Sequence, residues 1–222
     1  MLIAVFFIDL EHFIIPDSLN IGLAITGLAY AVLFAIRGEY PDIQSLIPLP
    51  ITEAFQGAAL GVLTLWSIAL LGRILFKKDA MGHGDIKLAR ALGMMLLSLG
   101  LFLSLAVAIF LGALVGVILI ITSKSKATNI SETKKEDPEP IIDLIKSGLY
   151  YLLFIDVIIY FLPNTESLEE ELLHHEEDQT INSSPEMIPF GPFLVFGAMM
   201  YLYFGDNLET WLNLYLDWAF SK

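Results

Sequence analysis

Met81-Gly82-His83-Gly84-Asp85-Ile86-Lys87-Leu88 is a short polar patch set between two long apolar runs, and it divides the chain. Before it, Ala54 to Phe76 is almost uniformly hydrophobic. After it, Leu88 to Ile121 contains no charge except Arg90. A carboxylate this close to membrane-type sequence is costly unless it faces water, pairs with a partner or does chemistry. The only comparable stretch is near the N-terminus, Ile8-Asp9-Leu10-Glu11-His12 followed by Ile15-Pro16-Asp17. The expectation is that Asp9 and Asp85 meet at one face of a membrane helix bundle.

Composition sets the class. The chain has 222 residues, 56% of them hydrophobic, in clusters rather than in alternation. That predicts an all-α polytopic transmembrane bundle of about five to six membrane helices, forming a single domain over 1–222. A membrane β-barrel would need many alternating segments, which are absent. With no cysteine, structural disulfides and thiolate metal sites are excluded. The formal net charge of -13 argues against a nucleic-acid partner and for a cationic one, although much of it lies in one polar stretch. Met1 to Ile8 does not read as a signal peptide, because Asp9 interrupts the apolar run and no basic region precedes it.

In chain order, Pro16 suits a helix start, and crossings are expected at 19–36 and 53–75, joined by a Pro-rich connection from Arg37 to Pro50. A short helix at 85–98 places Asp85 near its N-terminus, where orphan amides and the helix dipole favour a carboxylate. Ser98 and Gly100 weaken that helix before a strong crossing at 101–121, whose Gly112 and Gly116 form a small-xxx-small pair suited to close packing. Residues 122–188 read as an atypical polar insert with an apolar segment at 141–162. Asp143, Lys146, Asp156 and the Tyr150-Tyr151 pair suit that segment to the interface or to lining a groove, against a true crossing. Pro189-Phe190-Gly191-Pro192-Phe193 opens the last hydrophobic segment. The tail 207–222, with Trp211, Tyr215 and Trp218, suits the headgroup level, against a continuation of that last crossing.

Arg73, Lys77, Lys78, Lys87 and Arg90 bracket the central motif, so the positive-inside rule puts it at the cytoplasmic face. Lys124, Lys126, Lys134 and Lys135 agree. Parity then makes a test of 141–162. A crossing there would start the Pro189 segment from the outside; a re-entrant or interfacial segment would put Pro189 on the same side as Asp9 and Asp85.

Two carboxylates from different helices at one membrane face meet the needs of acid–base hydrolysis through a shared water. Close carboxylates do not both ionise readily and split into an acid and a base. Each alone is also compatible with a helix cap or a solvated interface residue. Glu11, His12 and His83 could join the aspartates in a metal site, but no tight ligand spacing supports it, and no metal is assigned. Asp17 before Ser18 reads first as a helix cap. Lys87 suits orientation of a carboxylate or substrate carbonyl, or a simple topological role. His174 and His175 lie in an acidic stretch and read as solvated.

At these residues the chain resembles the type IV prepilin peptidases, membrane aspartic proteases that cleave leader peptides from prepilins and pseudopilins. Asp9, Pro16 and Asp17 match one family pattern. Gly82, Gly84, Asp85 and Lys87 match the second, Gly-x-Gly-Asp-x-Lys, continued by Ala91-Leu92-Gly93. Pro189-Phe190-Gly191-Pro192-Phe193 resembles a third. The resemblance covers roughly 2–121 and 188–205. It implies that Asp9 and Asp85 are the catalytic pair, with Glu11, Pro16, Asp17, Gly82, Gly84, Lys87, Pro189 and Gly191 binding substrate or supporting the site. It implies a cytoplasmic (inner) membrane enzyme that needs no cofactor for proteolysis, and S-adenosylmethionine only where the new N-terminus is also methylated. Expected partners are substrates with a basic leader and a following hydrophobic helix, the lipid bilayer, and pilus or secretion assembly proteins. The cysteine-containing N-terminal region of larger members is missing, so the chain reads as a minimal or truncated form. Alternative readings are a small proton- or ion-coupled transporter using the same aspartates, or a non-catalytic pilus-assembly scaffold.

Overall fold

The computed structural model describes residues 1–37, 49–77, 81–123, 140–162 and 189–220. Residues 38–48 of the Pro-rich connection, Lys78, the lysines of 124–135, and the acidic stretch with His174 and His175 lie outside the described residues. Those described form seven helices: α1 (Leu2–His12), α2 (Asp17–Arg37), α3 (Leu49–Phe76), α4 (His83–Ser123), α5 (Ile141–Leu152), α6 (Ile155–Phe161) and α7 (Gly191–Phe220). No strand occurs among them.

Three helices, in α2, α3 and α4, are long and apolar enough to cross a membrane, and α5 with α6 makes a fourth if that bent pair is one span. The fold is therefore the polytopic helical bundle the composition implies. The expected five to six helices are roughly consistent with this count, because α4 consists of two limbs and α7 adds the shorter apolar stretch Gly191–Gly205. At 11 residues, α1 is too short to span. Large apolar side chains on the outer faces stay exposed, Phe110 at 69% and Tyr203 at 79% among them, as a lipid-facing surface requires.

α4 is folded back on itself. Its 41 residues would extend about 62 Å if straight, twice the roughly 30 Å hydrocarbon core. Non-helical backbone at Leu97 (φ 61°, ψ −176°) divides it, in a region that strongly favours glycine. Neighbours on either side show the reversal. In the first limb, Gly84 faces Ile15, Ala89 faces Gly61, and Gly93 faces Gly57. In the second, Gly100 meets Tyr201, Ser104 meets Gly197, and Gly112 meets Phe190 and Phe193. Gly191, beside Phe190, itself faces Ile15. Gly84 and Gly112 therefore sit near the same end of the bundle, whereas a straight helix would hold them about 42 Å apart. The break falls one residue before Ser98, where sequence reading places the weak point.

The closest helix crossing is α3 on the first limb of α4. A Cβ at Gly57 would overlap the Gly93 backbone, one at Gly93 the Gly57 backbone, and one at Gly61 the Ala89 backbone. Such main-chain approach is the packing small residues permit in membranes. The small-residue pair in use is thus Gly57-x-x-x-Gly61. Gly112 makes only ordinary contacts, and Gly116 meets nothing within 4 Å.

α5 docks on α3, where Trp66 Nε1 donates to the Leu144 carbonyl at 2.8 Å and Gly148 fits against the indole. Phe154, at φ 57°, separates α5 from α6, and the two axes are bent by 66°. The tail beyond Asn207 continues α7 as helix to Phe220.

Candidate active site

Asp9 lies in the last turn of α1 and is 4% exposed, whereas Glu11 and His12 on the same turn are exposed. Phe13 ends α1 in a left-handed conformation, its amide returning to the Asp9 carbonyl. Pro16 then starts α2, its carbonyl accepting from the amides of Leu19 (3.0 Å) and Asn20 (3.3 Å). The tight link carries Ile15 into the space between Gly84 and Gly191.

Gly191 opens α7 directly over Asp9. Any side chain there would overlap Asp9 Oδ2, so only glycine lets the helix N-terminus reach the carboxylate. The Gly191 amide lowers the Asp9 pKa without making an aligned hydrogen bond to Oδ2, which is buried with no hydrogen-bond partner among the described residues. Burial dominates and pushes Asp9 from 3.8 up to about 6. Removal of a carboxylate from water penalises its charged form.

Asp85 stands in the first turn of α4, within electrostatic reach of Asp9 and faced by the Gly82 amide. Gly82 is exposed, and a Cβ there would lie 3.7 Å from Asp85 Oδ2. The two aspartates thus come to one end of the bundle from separate helices. Of the other residues singled out, Pro16, Asp17, Gly82, Gly84, Lys87, Pro189 and Gly191 gather at that end, Pro189 through its chain neighbours. Glu11 points to the exterior.

Asp17 does more than head a helix. Its carboxylate accepts from Lys87 Nζ at 3.1 and 3.2 Å, and Lys87 is 5% exposed. Arg90, 2% exposed, forms a two-pronged ion pair with Asp156 at 2.6 Å on each prong. It also donates to the Tyr151 carbonyl at 2.9 Å, and its guanidinium lies 4.8 Å from the Phe154 ring centre. Lys87 and Arg90 are therefore buried, paired cations. Of the cations that bracket the motif, Lys77 is exposed and Arg73 half-buried.

Tyr151 and Asp156, read from the sequence only as suiting their segment to an interface or a groove, have specific partners here, and Asn20 is not singled out by the sequence. Tyr151 packs on His83 (ring centres 5.8 Å apart) and beneath Lys87 Nζ (5.5 Å). Asp156 holds Arg90. Asn20 is a buried amide whose side-chain atoms find no hydrogen-bond partner among the described residues. The charges at 143, 146 and 156 inside an apolar segment were the available signal for the first two. Among the described residues, Glu11, His12 and His83 do not assemble with the aspartates into a group of three metal ligands.

Comparison with known proteins bears on the same residues. Residues 1–117 match the model of the Type IV leader peptidase family. The chain is 36% identical over 121 residues to a protein of Aeromonas salmonicida named prepilin leader peptidase/N-methyltransferase, covering 54% of this chain and 38% of that one. It is 27% identical over 219 residues to a Myxococcus xanthus protein of the same name, covering 94% and 61%. A Klebsiella pneumoniae protein of that name is 38% identical over 86 residues, or 39% and 32%. The chain thus spans between about one third and three fifths of the length of these relatives. No solved structure matches. The matched region contains both aspartate turns and the helices that join them, and on that footing this membrane protein belongs to the Type IV leader peptidase family.

Proposed function

We propose that this protein is an aspartic endopeptidase that removes the basic leader peptide of type IV prepilins or pseudopilins at the cytoplasmic face of the inner membrane. What carries this reading is the convergence of Asp9 and Asp85 from separate helices, one buried against a helix N-terminus and within electrostatic reach of the other. The names of the relatives supply the substrate class.

A water between the two carboxylates attacks the scissile carbonyl. With its pKa at about 6, Asp9 is mainly ionised at pH 7 and accepts the water proton. Asp85 in its protonated form donates to the carbonyl oxygen. The tetrahedral intermediate collapses, the C–N bond breaks, and the departing amine takes the proton held by Asp9. The oxygen returns its proton to Asp85, so the pair ends as it began. Gly82, Gly84 and Gly191 keep backbone amides and space at the carboxylates; Pro16, Pro189 and the Asp17–Lys87 pair hold the helix starts that carry them. Glu11 supports the site from the exterior, toward the basic leader.

Water is the only co-reactant in this scheme. S-adenosylmethionine enters only as the methyl donor of a separate N-methylation. The chain acts as one domain, with the tail 207–222 at the membrane interface, where the exposed Trp211 and Trp218 suit the headgroup level. The net charge of -13 favours a basic leader, and the substrate's hydrophobic helix lies along the bundle in lipid. Assembly proteins of a pilus or secretion system are the remaining partners.

The test is cleavage of a prepilin-like substrate by purified protein in detergent, comparing wild type with Asp9→Ala and Asp85→Ala. Both variants are expected to remain folded and to lose cleavage. Undiminished turnover in either one removes the paired-aspartate mechanism.

A further inference from the structure

The segment 141–162 lies beyond residue 117, where the family match ends, yet it reaches the site. Its path follows from three observations. The second limb of α4 returns to the Asp9 end of the bundle, since Gly112 meets Phe190 and Phe193 there. α7 departs from that same end, with Gly191 against Asp9. Between them, the stretch 124–139 is rich in Lys and Glu and the stretch 163–188 in Glu, compositions that do not suit a hydrocarbon core. The bent pair is by itself a broken span or a re-entrant loop. Flanking stretches of this composition favour the second, with residues 140 and 162 on the side of Asp9 and Asp85. α5 runs inward past Trp66 and His83, bends at Phe154 by 66°, and is held at depth by Arg90. Without Asp156, Arg90 would be a buried charge lacking its counter-ion.

This docking delivers Tyr151 to the first turn of α4. Its ring rests on His83, two residues before Asp85, and on Lys87, two residues after it. Its carbonyl is held by the Arg90 that binds Asp156. At 5% exposure Tyr151 is an internal support and has little surface to offer a substrate. We propose that α5 and α6 form a re-entrant wall of the active site, and that Tyr151 is a positioning residue that braces the α4 turn carrying Asp85. The inference rests on the peptidase reading for its second half only; the topology stands independently.

Two measurements test it on the full chain. The protein has no cysteine, so single substitutions report sidedness directly. Ser125→Cys and Ser183→Cys are expected to react with a membrane-impermeant maleimide from the same side as His12→Cys at the exposed end of α1. Labelling of Ser125→Cys and Ser183→Cys from opposite sides overturns the re-entrant path. In steady-state cleavage, Tyr151→Ala is expected to lower kcat about ten-fold with KM within about two-fold, the signature of a displaced reacting group, while Tyr151→Phe keeps the ring and restores the rate. Asp156→Asn should give a similar loss, and the double variant no further one, because both act through one brace. Wild-type kcat in Tyr151→Ala, no rescue by Phe, or losses that multiply would overturn the brace. Asp85→Ala run in parallel separates the failures. If it still cleaves, the peptidase reading falls; if it is dead while Tyr151→Ala is unaffected, the brace alone falls.

Discussion

Two kinds of charge share the first turns of α4, and they are treated in opposite ways. Lys87 and Arg90 are almost fully buried, but each meets a carboxylate, Asp17 and Asp156 respectively. The acids are not neutralised in that manner. Asp9 keeps a buried oxygen without a hydrogen-bond partner among the described residues, and the charge within electrostatic reach of Asp85 is another acid. A structural charge in an apolar bundle is stabilised by a counter-ion. Under the proposed mechanism, the two acids are instead left under-satisfied for proton transfer, at a cost in stability.

Substitutions at the acids, at the Arg90–Asp156 pair and at the helix crossing break or sharpen that contrast. The largest effect is expected for Asp9→Ala and Asp85→Ala, which should cut cleavage by roughly 10²–10⁴-fold, the range for loss of a positioned acid or base, with little loss of fold. Next, Arg90→Leu leaves Asp156 buried without its cation and should cost about 3–5 kcal/mol. Arg90→Leu with Asp156→Leu should recover most of that in thermal unfolding, and a double variant no more stable than the single would show that the pair is not what holds α5.

Asp9→Asn should act in the opposite direction. Because folding raises the Asp9 pKa from 3.8 to about 6, the folded state favours the neutral acid. Its relative stability is full below pH 3.8 and lost as pH rises through about 6, by at most about 3 kcal/mol. The amide should therefore raise Tm at pH 7, show no advantage near pH 3.5, and cleave nothing. The same ionisation predicts that wild-type cleavage declines as pH falls through about 6. At the helix crossing, Gly93→Ala is expected to destabilise. Its methyl group would meet the Gly57 backbone, and overpacking of this kind costs about 1–3 kcal/mol. Gly116→Ala, facing open space, should be neutral in the same melt.

The aspartates could be read from the chain because a carboxylate inside membrane-type sequence stands out against its immediate neighbours. The third stretch, Pro189 to Phe193, carried a family pattern in the same way. The glycines show where local pattern stops. Gly57/Gly61 and Gly112/Gly116 have identical spacing, but only the first pair faces small residues on another helix, Gly93 and Ala89. Arg90 is a similar case. Nothing near it in sequence distinguishes a cation that snorkels from one that pairs with Asp156, because its partner arrives from a distant segment.

Sequence alone therefore determined that the chain is a helical membrane protein, roughly where the helices of residues 17–76 lie, and which acids stand out against membrane-type sequence. These properties depend on hydrophobic length and on the local price of burying charge. Tertiary structure decided the reversal at Leu97, the crossing at Gly57 and Gly93, the partners of Lys87 and Arg90, and the arrival of Gly191 at Asp9. Each of these depends on which surfaces face one another after packing, and contact between distant segments leaves no mark in the periodicity of either.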